Sequence, residues 1–367
     1  MELNSNLTEL EQAYLDRTLQ LAQLGGIEVL PNPQVGAILV ANGRIIGEGF
    51  HQKAGHPHAE VNAVRAVSEA DRDLLTQATM FVSLEPCSHY GKTPPCADMI
   101  VREQIPRVII GCLDPNPQVA GRGVRRLMSH GVEVRVAPDP RPFWAMNPSF
   151  NVNHLEQRPF ITLKWASSRD GYIAGIRDGV LEQTAISSPE ARVGVHRLRA
   201  RHQAIMVGRR TAAIDDPSLS TRHYPGANPL RIVFDPELVL PTHLRLFKDG
   251  KPTLVLNQLR DDQEGAVRFY RPQQWADLNL LFQELYQHLG ICNILVEGGS
   301  HLLQQCLDQQ VFDEVVRLEG PILLNKGLAE PRLPTGFQFD QEDWFGQTRW
   351  SASNWRMEQM RDQTAQA

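Results

Sequence analysis

His58-Ala59-Glu60, followed by Pro86-Cys87 and then Pro94-Pro95-Cys96, decides how this chain is read. The three pieces supply one imidazole, two thiols, and a carboxylate two residues after the imidazole. Zinc is held by nitrogen and sulfur donors of this kind, and a catalytic site leaves its fourth position open for water. His58, Cys87 and Cys96 are therefore the candidate metal ligands, and no further residue nearby suggests itself to close the site. The bland alternative is an exposed His-Ala-Glu and two unrelated cysteines, which leaves the matching prolines unexplained.

Local pattern brings the pieces together. Pro57 and the spacing of Val61, Val64 and Val67 predict a helix start with His58 and Glu60 in its first turn. Residues 79–84 (TMFVSL) read as a buried strand that ends at Glu85-Pro86-Cys87, and Pro94-Pro95 opens a second helix with Cys96 in its first turn. Helix N-termini carry partial positive charge and favour a thiolate. Zinc-dependent base deaminases carry H-x-E followed by P-C-x-x-C, with a glutamate that moves protons without binding metal; here the second half is stretched to C-x8-C. Zinc lowers the pKa of bound water to roughly 7. Glu60 is the candidate catalytic residue, taking a proton from that water to the ring nitrogen and the leaving ammonia.

Outward from this motif, residues 8–25 form an amphipathic helix that ends at Gly25-Gly26. Residues 35–41 and 45–50 are apolar strands around Asn42-Gly43, a hairpin signal. Further strands at 79–84, 107–111 and 132–136 alternate with helices, which implies a mixed sheet covered by helices. Ala137-Pro138-Asp139-Pro140-Arg141-Pro142 reads as a linker, giving domains 1–142 and 143–367, with 143–158 as a bridging segment. A second α/β pattern starts at Pro159, with strands at 159–164, 204–207, 230–234, 252–256, 292–296 and 313–318 and helices at 189–202, 274–289 and 299–309. The residues from about 355 on are polar and read as a frayed end.

Bulk properties exclude several classes. A length of 367 residues suits two domains, and a hydrophobic content of 42% suffices for two cores. No apolar run is long enough to span a bilayer, and the start, MELNSNLTELEQ, is unlike a secretory signal. A net charge of −5 argues against general nucleic-acid binding. Of five cysteines, Cys112, Cys292 and Cys306 lie in or beside apolar stretches and read as small core residues. A cytoplasmic, reducing compartment is expected.

Beyond the zinc motif, Pro31-Asn32-Pro33-x-Val35-Gly36-Ala37, Gly49-Phe50-His51, Leu84 through Asp98, and Leu113-Asp114-Pro115-Asn116-Pro117 fall in an order that resembles the bifunctional riboflavin-biosynthesis deaminase/reductase family. The resemblance continues through Leu163-Lys164, Asp170-Gly171, Asp215-Asp216-Pro217 and Glu297-Gly298-Gly299 and so covers nearly the whole chain. It implies an α/β protein: a cytidine-deaminase-like domain with helices on both faces of a mixed sheet, then a dihydrofolate-reductase-like domain that uses NADPH. The implied reactions are zinc-dependent hydrolytic deamination of 2,5-diamino-6-ribosylamino-4(3H)-pyrimidinone 5′-phosphate, then reduction of its ribosyl chain to ribityl. A homo-oligomer is expected, acting on this phosphorylated ribosylaminopyrimidine.

The same resemblance assigns positions. Asn32 would face the pyrimidinone edge, where its amide offers both acceptor and donors. His51 and His89 are either substrate contacts or surface histidines, and Lys92 either meets the ribosyl phosphate or is solvated. Lys164 and Glu297 resemble the substrate-reading pair of the reductase; Arg199, Leu219 and Arg222 face the substrate, where a guanidinium suits the phosphate. Ala166, Ala185, Thr211, Asp215, Gly299, Ser300 and His301 fall on the cofactor side. Ile294 through Ser300 independently reads as a strand, glycines and a helix start that exposes backbone N–H groups to an anion, although such a turn is also an ordinary helix start. Asp215-Asp216-Pro217 alone is a helix-ending turn. Two departures stand out: Ala185 precedes Ile186-Ser187-Ser188-Pro189 where the family often has tryptophan, and 171–185 is longer than in many relatives.

Three competitors remain. A nucleic-acid base deaminase would need a basic, aromatic-lined groove. A deaminase whose second half only binds or oligomerises would show no response to NADPH. A non-enzymatic zinc protein would need a fourth protein ligand.

Overall fold

Contacts in the computed structural model, which describes residues 6–88, 94–116, 119–182 and 184–354, divide the chain between Leu155 and Glu156. The first unit opens with helix α1 (Glu9–Ala22), started by a capping box in which Thr8 and Glu11 satisfy each other's backbone N–H groups. Strands β1 (Gly36–Ala41) and β2 (Arg44–Phe50) follow. Asn42 and Gly43 both adopt left-handed φ, 51° and 73°, as a two-residue hairpin turn requires. Then come α2 (Ala59–Ala66), β3 (Thr79–Leu84), α3 (Cys96–Arg102), β4 (Arg107–Cys112), α4 (Arg122–Met128), β5 (Glu133–Val136), α5 (Arg141–Met146) and α6 (Pro148–Glu156).

The sheet order is β2-β1-β3-β4-β5. The pairings of β1 with β2 and β3 are antiparallel, and those of β4 with β3 and β5 are parallel. Helices cover both faces, and small residues allow their approach. A Cβ on Gly36 would lie 2.1 Å from the Thr18 carbonyl of α1. Gly49 pairs with Ala37, the next residue along β1, and its Cβ would lie 2.3 Å from the Ala63 nitrogen of α2. Successive residues of a strand point to opposite faces, so α1 and α2 lie on opposite sides of the sheet. Ile38, Met80, Ile109 and Ile110 between them are fully buried.

The division falls later than the proline-rich stretch at 137–142 led us to expect. Phe143 of α5 packs against β4, where a Cβ on Gly111 would lie 2.2 Å from its ring. Asn147 exchanges two hydrogen bonds with the backbone of Gln34. Residues 143–155 of the expected bridging segment thus pack with the first unit, while Arg158 belongs to the second, where it pairs with Asp313.

The second unit is also α/β. Its strands are β6 (Phe160–Ser167), β7 (Tyr172–Arg177), β8 (Val180–Glu182), β9 (Ala204–Gly208), β10 (Leu230–Phe234), β11 (Thr253–Leu256), β12 (Asp262–Glu264), β13 (Val267–Tyr270), β14 (Asn293–Glu297), β15 (Glu314–Glu319), β16 (Gly327–Ala329), β17 (Asp340–Trp344) and β18 (Gln347–Ser353). Its helices are α7 (Pro189–Ala200), α8 (Arg209–Asp215), α9 (Arg245–Lys248), α10 (Leu278–Leu289) and α11 (Ser300–Asp308). Ten strands form one sheet in the order β12-β13-β11-β10-β9-β14-β6-β15-β18-β17, parallel at its centre, while β16-β7-β8 make a small separate sheet. The central strands are buried on both faces: Ile161, Met206 and Ile294 on one side and Ile205, Val233 and Leu295 on the other are all 0% exposed. The chain winds away from β6 and β9 in opposite directions, with β14 between them, and open α/β sheets bind ligands outside the carboxyl ends of the strands at such a switch point.

Candidate functional site

In the first unit, three chain segments deliver the metal donors. His58 is the N-cap of α2 (φ −70°, ψ 167°), so it stands one position before the helix and not within its first turn. Cys87 follows the end of β3, and Cys96 is the first residue of α3. His58 Nδ1 lies 3.5 Å from Cys87 Sγ and 3.4 Å from Cys96 Sγ, and all three donor atoms fall within 4.8 Å of one another. Tetrahedral zinc, with bonds of about 2.3 Å to sulfur and about 2.0 Å to nitrogen, sets such donors about 3.5 Å apart. The donor set and its spacing therefore fit zinc. The backbone N–H of Cys96 donates to Cys87 Sγ at 3.3 Å; hydrogen bonds from Cys96 and from His58 hold the Cys87 thiol well below the ordinary range.

Glu60 sits beside these groups and is 3% exposed. Burial, with the charge of Cys87 adding to it, pushes its carboxyl up to about 7. A carboxyl poised there suits proton transfer near neutral pH.

His51 is 2% exposed, which removes the surface reading of that residue. Its Nδ1 lies 3.1 Å from the Pro57 carbonyl and its Nε2 3.1 Å from Asn32 Nδ2. The carbonyl can only accept, so Nδ1 carries the proton and Nε2 accepts from the Asn32 amide. That contact orients Asn32 without using its Oδ1. The His51 ring also meets the His58 ring edge-on, with centroids 5.4 Å apart. His89 and Lys92 lie outside the described residues.

In the second unit, Lys164 and Glu297 are cross-strand partners on β6 and β14. Glu297 ends its strand, but Lys164 is the fifth residue of an eight-residue strand and is 9% exposed, so only one of the pair is at a strand end. Arg199 on α7 grips Glu297 with two hydrogen bonds, Nε–Oε1 3.0 Å and Nη2–Oε2 2.6 Å, and donates a third to the Ser220 carbonyl at 3.1 Å. Burial opposes ionisation of Glu297, yet Arg199 and Lys164 outweigh it and hold the carboxyl at about 2. Burial pulls Lys164 below its ordinary value despite the carboxylate. Arg222 donates to Ser218 Oγ at 2.8 Å and Ser220 Oγ at 3.4 Å, so one serine stretch links both arginines. Leu219 between those serines is 3% exposed and holds φ 49°, a strained backbone for a leucine.

The remaining positions divide. Thr211 and Asp215 lie one turn apart on α8. Thr211 abuts the Gly298-Gly299 turn, where a Cβ on Gly299 would lie 3.2 Å from its Oγ1. Both glycines hold positive φ, 92° and 81°, and Ser300 and His301 begin α11 immediately after. A helix start leaves its first N–H groups without intrahelical partners, a geometry open to an anion. Burial raises the Asp215 carboxyl. Ala166 is half-buried on β6, two residues beyond Lys164. Ala185 lies exposed between β8 and α7, with no aromatic face to offer a nicotinamide ring. A cavity of about 540 Å³ lined by Gln258, Asp261, Arg271, Pro272, Gln273 and Trp275 contains none of these residues.

Sequence reasoning missed His196. It is 3% exposed, one turn before Arg199 on α7, and its Nδ1 has no hydrogen-bond partner. Burial, then the charges of Arg199 and Arg222, push it down to about 4, so the ring is neutral. The i, i+3 spacing of His196 and Arg199 was the available signal.

Fold and site together define a two-unit α/β protein: a zinc-type deaminase unit joined to a second unit that buries a charged cluster of Lys164, Arg199 and Glu297. Residues 8–112 match the family of the cytidine and deoxycytidylate deaminase zinc-binding region, and residues 159–361 match the RibD C-terminal domain. Riboflavin biosynthesis protein RibD of Aquifex aeolicus is 36% identical over 88% of this chain and 90% of its own length. The Escherichia coli protein of the same name is 37% identical over 86% and 88%. Acinetobacter baumannii RibD superposes with a TM-score of 0.84 at 31% identity, covering 95% of this chain and 99% of that one. The deaminase/reductase of Thermotoga maritima gives 0.84 at 32% identity, covering 94% and 98%. The chain belongs to the riboflavin biosynthesis protein RibD family.

Proposed function

We infer that this protein is the bifunctional deaminase/reductase of riboflavin biosynthesis. The observation that carries this is the convergence of His58, Cys87 and Cys96 beside buried Glu60, in a chain that matches RibD proteins across both units. The substrate is 2,5-diamino-6-ribosylamino-4(3H)-pyrimidinone 5′-phosphate. Its ring amine leaves as ammonia, and water supplies the oxygen that replaces it.

Zinc held by His58, Cys87 and Cys96 supplies Lewis-acid activation of water. Glu60, buried beside the metal donors, accepts one proton and returns it to the ring nitrogen or the departing amine. Asn32, oriented by His51, presents its carbonyl to the ring edge. Lys92 and His89 complete this reading as contacts to the ribosyl phosphate and the ring.

NADPH supplies the hydride for the second step. Lys164 and Glu297 bind the polar ring and polarise the sugar carbonyl exposed when the ribosyl ring opens. Arg199 fixes Glu297, and Arg222, exposed beside it, meets the phosphate. Leu219 packs on the substrate. Thr211, Asp215, Ala166, Ala185, Gly299, Ser300 and His301 border the cofactor. A cytoplasmic location and a homo-oligomer belong to the same reading. Light scattering that finds a monomer contradicts the oligomer.

Separate assays of the half-reactions test the assignment. Ammonia should be released from the diamino substrate without NADPH, and NADPH should be oxidised only when the deaminated compound is present. Ammonia release that requires NADPH would overturn the two-site reading.

A further inference from the structure

The carboxylate of Glu85 is 6% exposed, and each of its oxygens accepts two backbone hydrogen bonds. Its Oε2 accepts from the backbone N–H of Asp114 at 3.2 Å and of Gly121 at 2.9 Å. Its Oε1 accepts from Gly123 at 2.8 Å and Val124 at 3.2 Å. These four donors come from the loop after β4 and from the start of α4, so one side chain gathers two segments. Gly121 holds φ 73°, a left-handed conformation that glycine allows at little cost and that turns its N–H toward Glu85.

Glu85 also stands two residues before the metal donor Cys87. The Glu85 backbone is anchored from the other side, where its N–H donates to the Cys112 carbonyl at the end of β4. The intervening Pro86 is pressed against α4: a Cβ on Gly123 would lie 2.1 Å from the Pro86 carbonyl oxygen. After Cys87, the next described backbone contact is the Cys87 carbonyl accepting from the Ala97 N–H of α3. The segment carrying Cys87 is thus fixed on its upstream side by Glu85 and on its downstream side by α3.

We propose that Glu85 is a positioning residue of the metal centre: it sets where Cys87 Sγ stands relative to His58 and Cys96 by locking the turn after β3 onto the start of α4. The inference rests on the reading of His58, Cys87 and Cys96 as zinc ligands. A carboxylate is required chemically. Four N–H groups converge on two oxygens, each of which accepts twice. Glutamine keeps the shape but replaces one oxygen with an NH2 group, which would face two backbone donors and accept from neither. The turn then relaxes away from α4 and takes Cys87 with it. Groups that orient a metal ligand commonly change metal affinity by about 10- to 100-fold when lost.

The test uses the full chain, stripped of metal and then loaded with zinc or cobalt. Zinc affinity is measured by competition with a chromophoric chelator for wild type, Glu85→Asp and Glu85→Gln. The sulfur-to-cobalt charge-transfer absorption is recorded for each, along with melting of the metal-free proteins. Expected is a graded loss of zinc affinity, largest for Glu85→Gln at about 10- to 100-fold, with an altered cobalt spectrum and little change in metal-free melting. Wild-type affinity and spectrum in Glu85→Gln would overturn the proposal. So would loss of metal that only follows an equal loss of metal-free melting, or collapse of both variants, because either makes Glu85 a support of the fold alone. Failure of wild type itself to take up zinc would instead refute the ligand assignment.

Discussion

Replacing Glu297 with glutamine puts the charge balance of the second unit to a quantitative test. Arg199 and Lys164 lower the Glu297 carboxyl from 4.5 to about 2 against the opposing effect of burial, which corresponds to about 3 kcal/mol of favourable interaction. Glu297 is 8% exposed, so solvent screening removes little of it. In wild type that stabilisation is present above pH 4.5 and is lost as pH falls toward 2. In Glu297→Gln it is absent at every pH, and Lys164 and Arg199 are left buried with no carboxylate. Lys164 already titrates below 10.5 because of burial; without Glu297 it falls further. The unfolded chain then binds more protons than the folded one between that lowered value and 10.5, so stability of the variant rises with pH through that window. Urea unfolding followed by fluorescence at pH 6 and at pH 9 should show a deficit of about 3 kcal/mol that is smaller at the higher pH. NADPH oxidation should be lost while ammonia release continues. A deficit below about 1 kcal/mol with no pH dependence, or preserved reduction, would refute this account of the cluster.

Other outcomes follow from the same geometry. Glu60→Gln should retain zinc and lose deamination by about 10²- to 10⁴-fold; ammonia release near the wild-type rate would remove Glu60 as proton carrier. Cys87→Ser should lose zinc by elemental analysis, while NADPH oxidation with the deaminated substrate persists. A fragment beginning at Glu156, where the contacts divide the chain, should fold and oxidise NADPH with that substrate; a folded but inactive fragment would mean the units share a site. Fluorescence titration of the full chain with NADPH should show saturable binding despite Ala185, and no binding would leave the second unit a docking or oligomerising module.

The first unit was legible because its chemistry is carried by residue types close to sharp local signals. Pro57, Pro86 and Pro94-Pro95 announce the turns that bring His58, Cys87 and Cys96 together. Asn42-Gly43 marked its hairpin for the same reason. The predicted helix at 274–289 begins at Leu278 because the Asp277 side chain accepts from the N–H groups of Asn279 and Leu280 and so caps it there. What escaped notice depends on partners distant in sequence or on strands without an apolar face. Strand β17, Asp-Gln-Glu-Asp-Trp, is mostly exposed at the sheet edge and has no alternation to read. Strands β7 and β8 are partly exposed throughout and pair only in the small sheet. Glu85 acquires its meaning only when Asp114, Gly121, Gly123 and Val124 fold against it, and His196 only when α7 brings it beside the Arg199–Glu297 pair. The packing of Phe143 and Asn147 could not be read locally because their contacts lie 32 or more residues away in sequence, at Gly111 and Gln34.

The central claim is that one chain performs two successive reactions at two sites, and mass spectrometry of products from the diamino substrate tests it most directly. Without NADPH, the account predicts a single product in which an amine has become an oxo group and the ribosyl chain is intact. With NADPH, that product should give way to one carrying two more hydrogens, the ribityl compound. A reduced product that still carries the amine, or no product until NADPH is added, would contradict it.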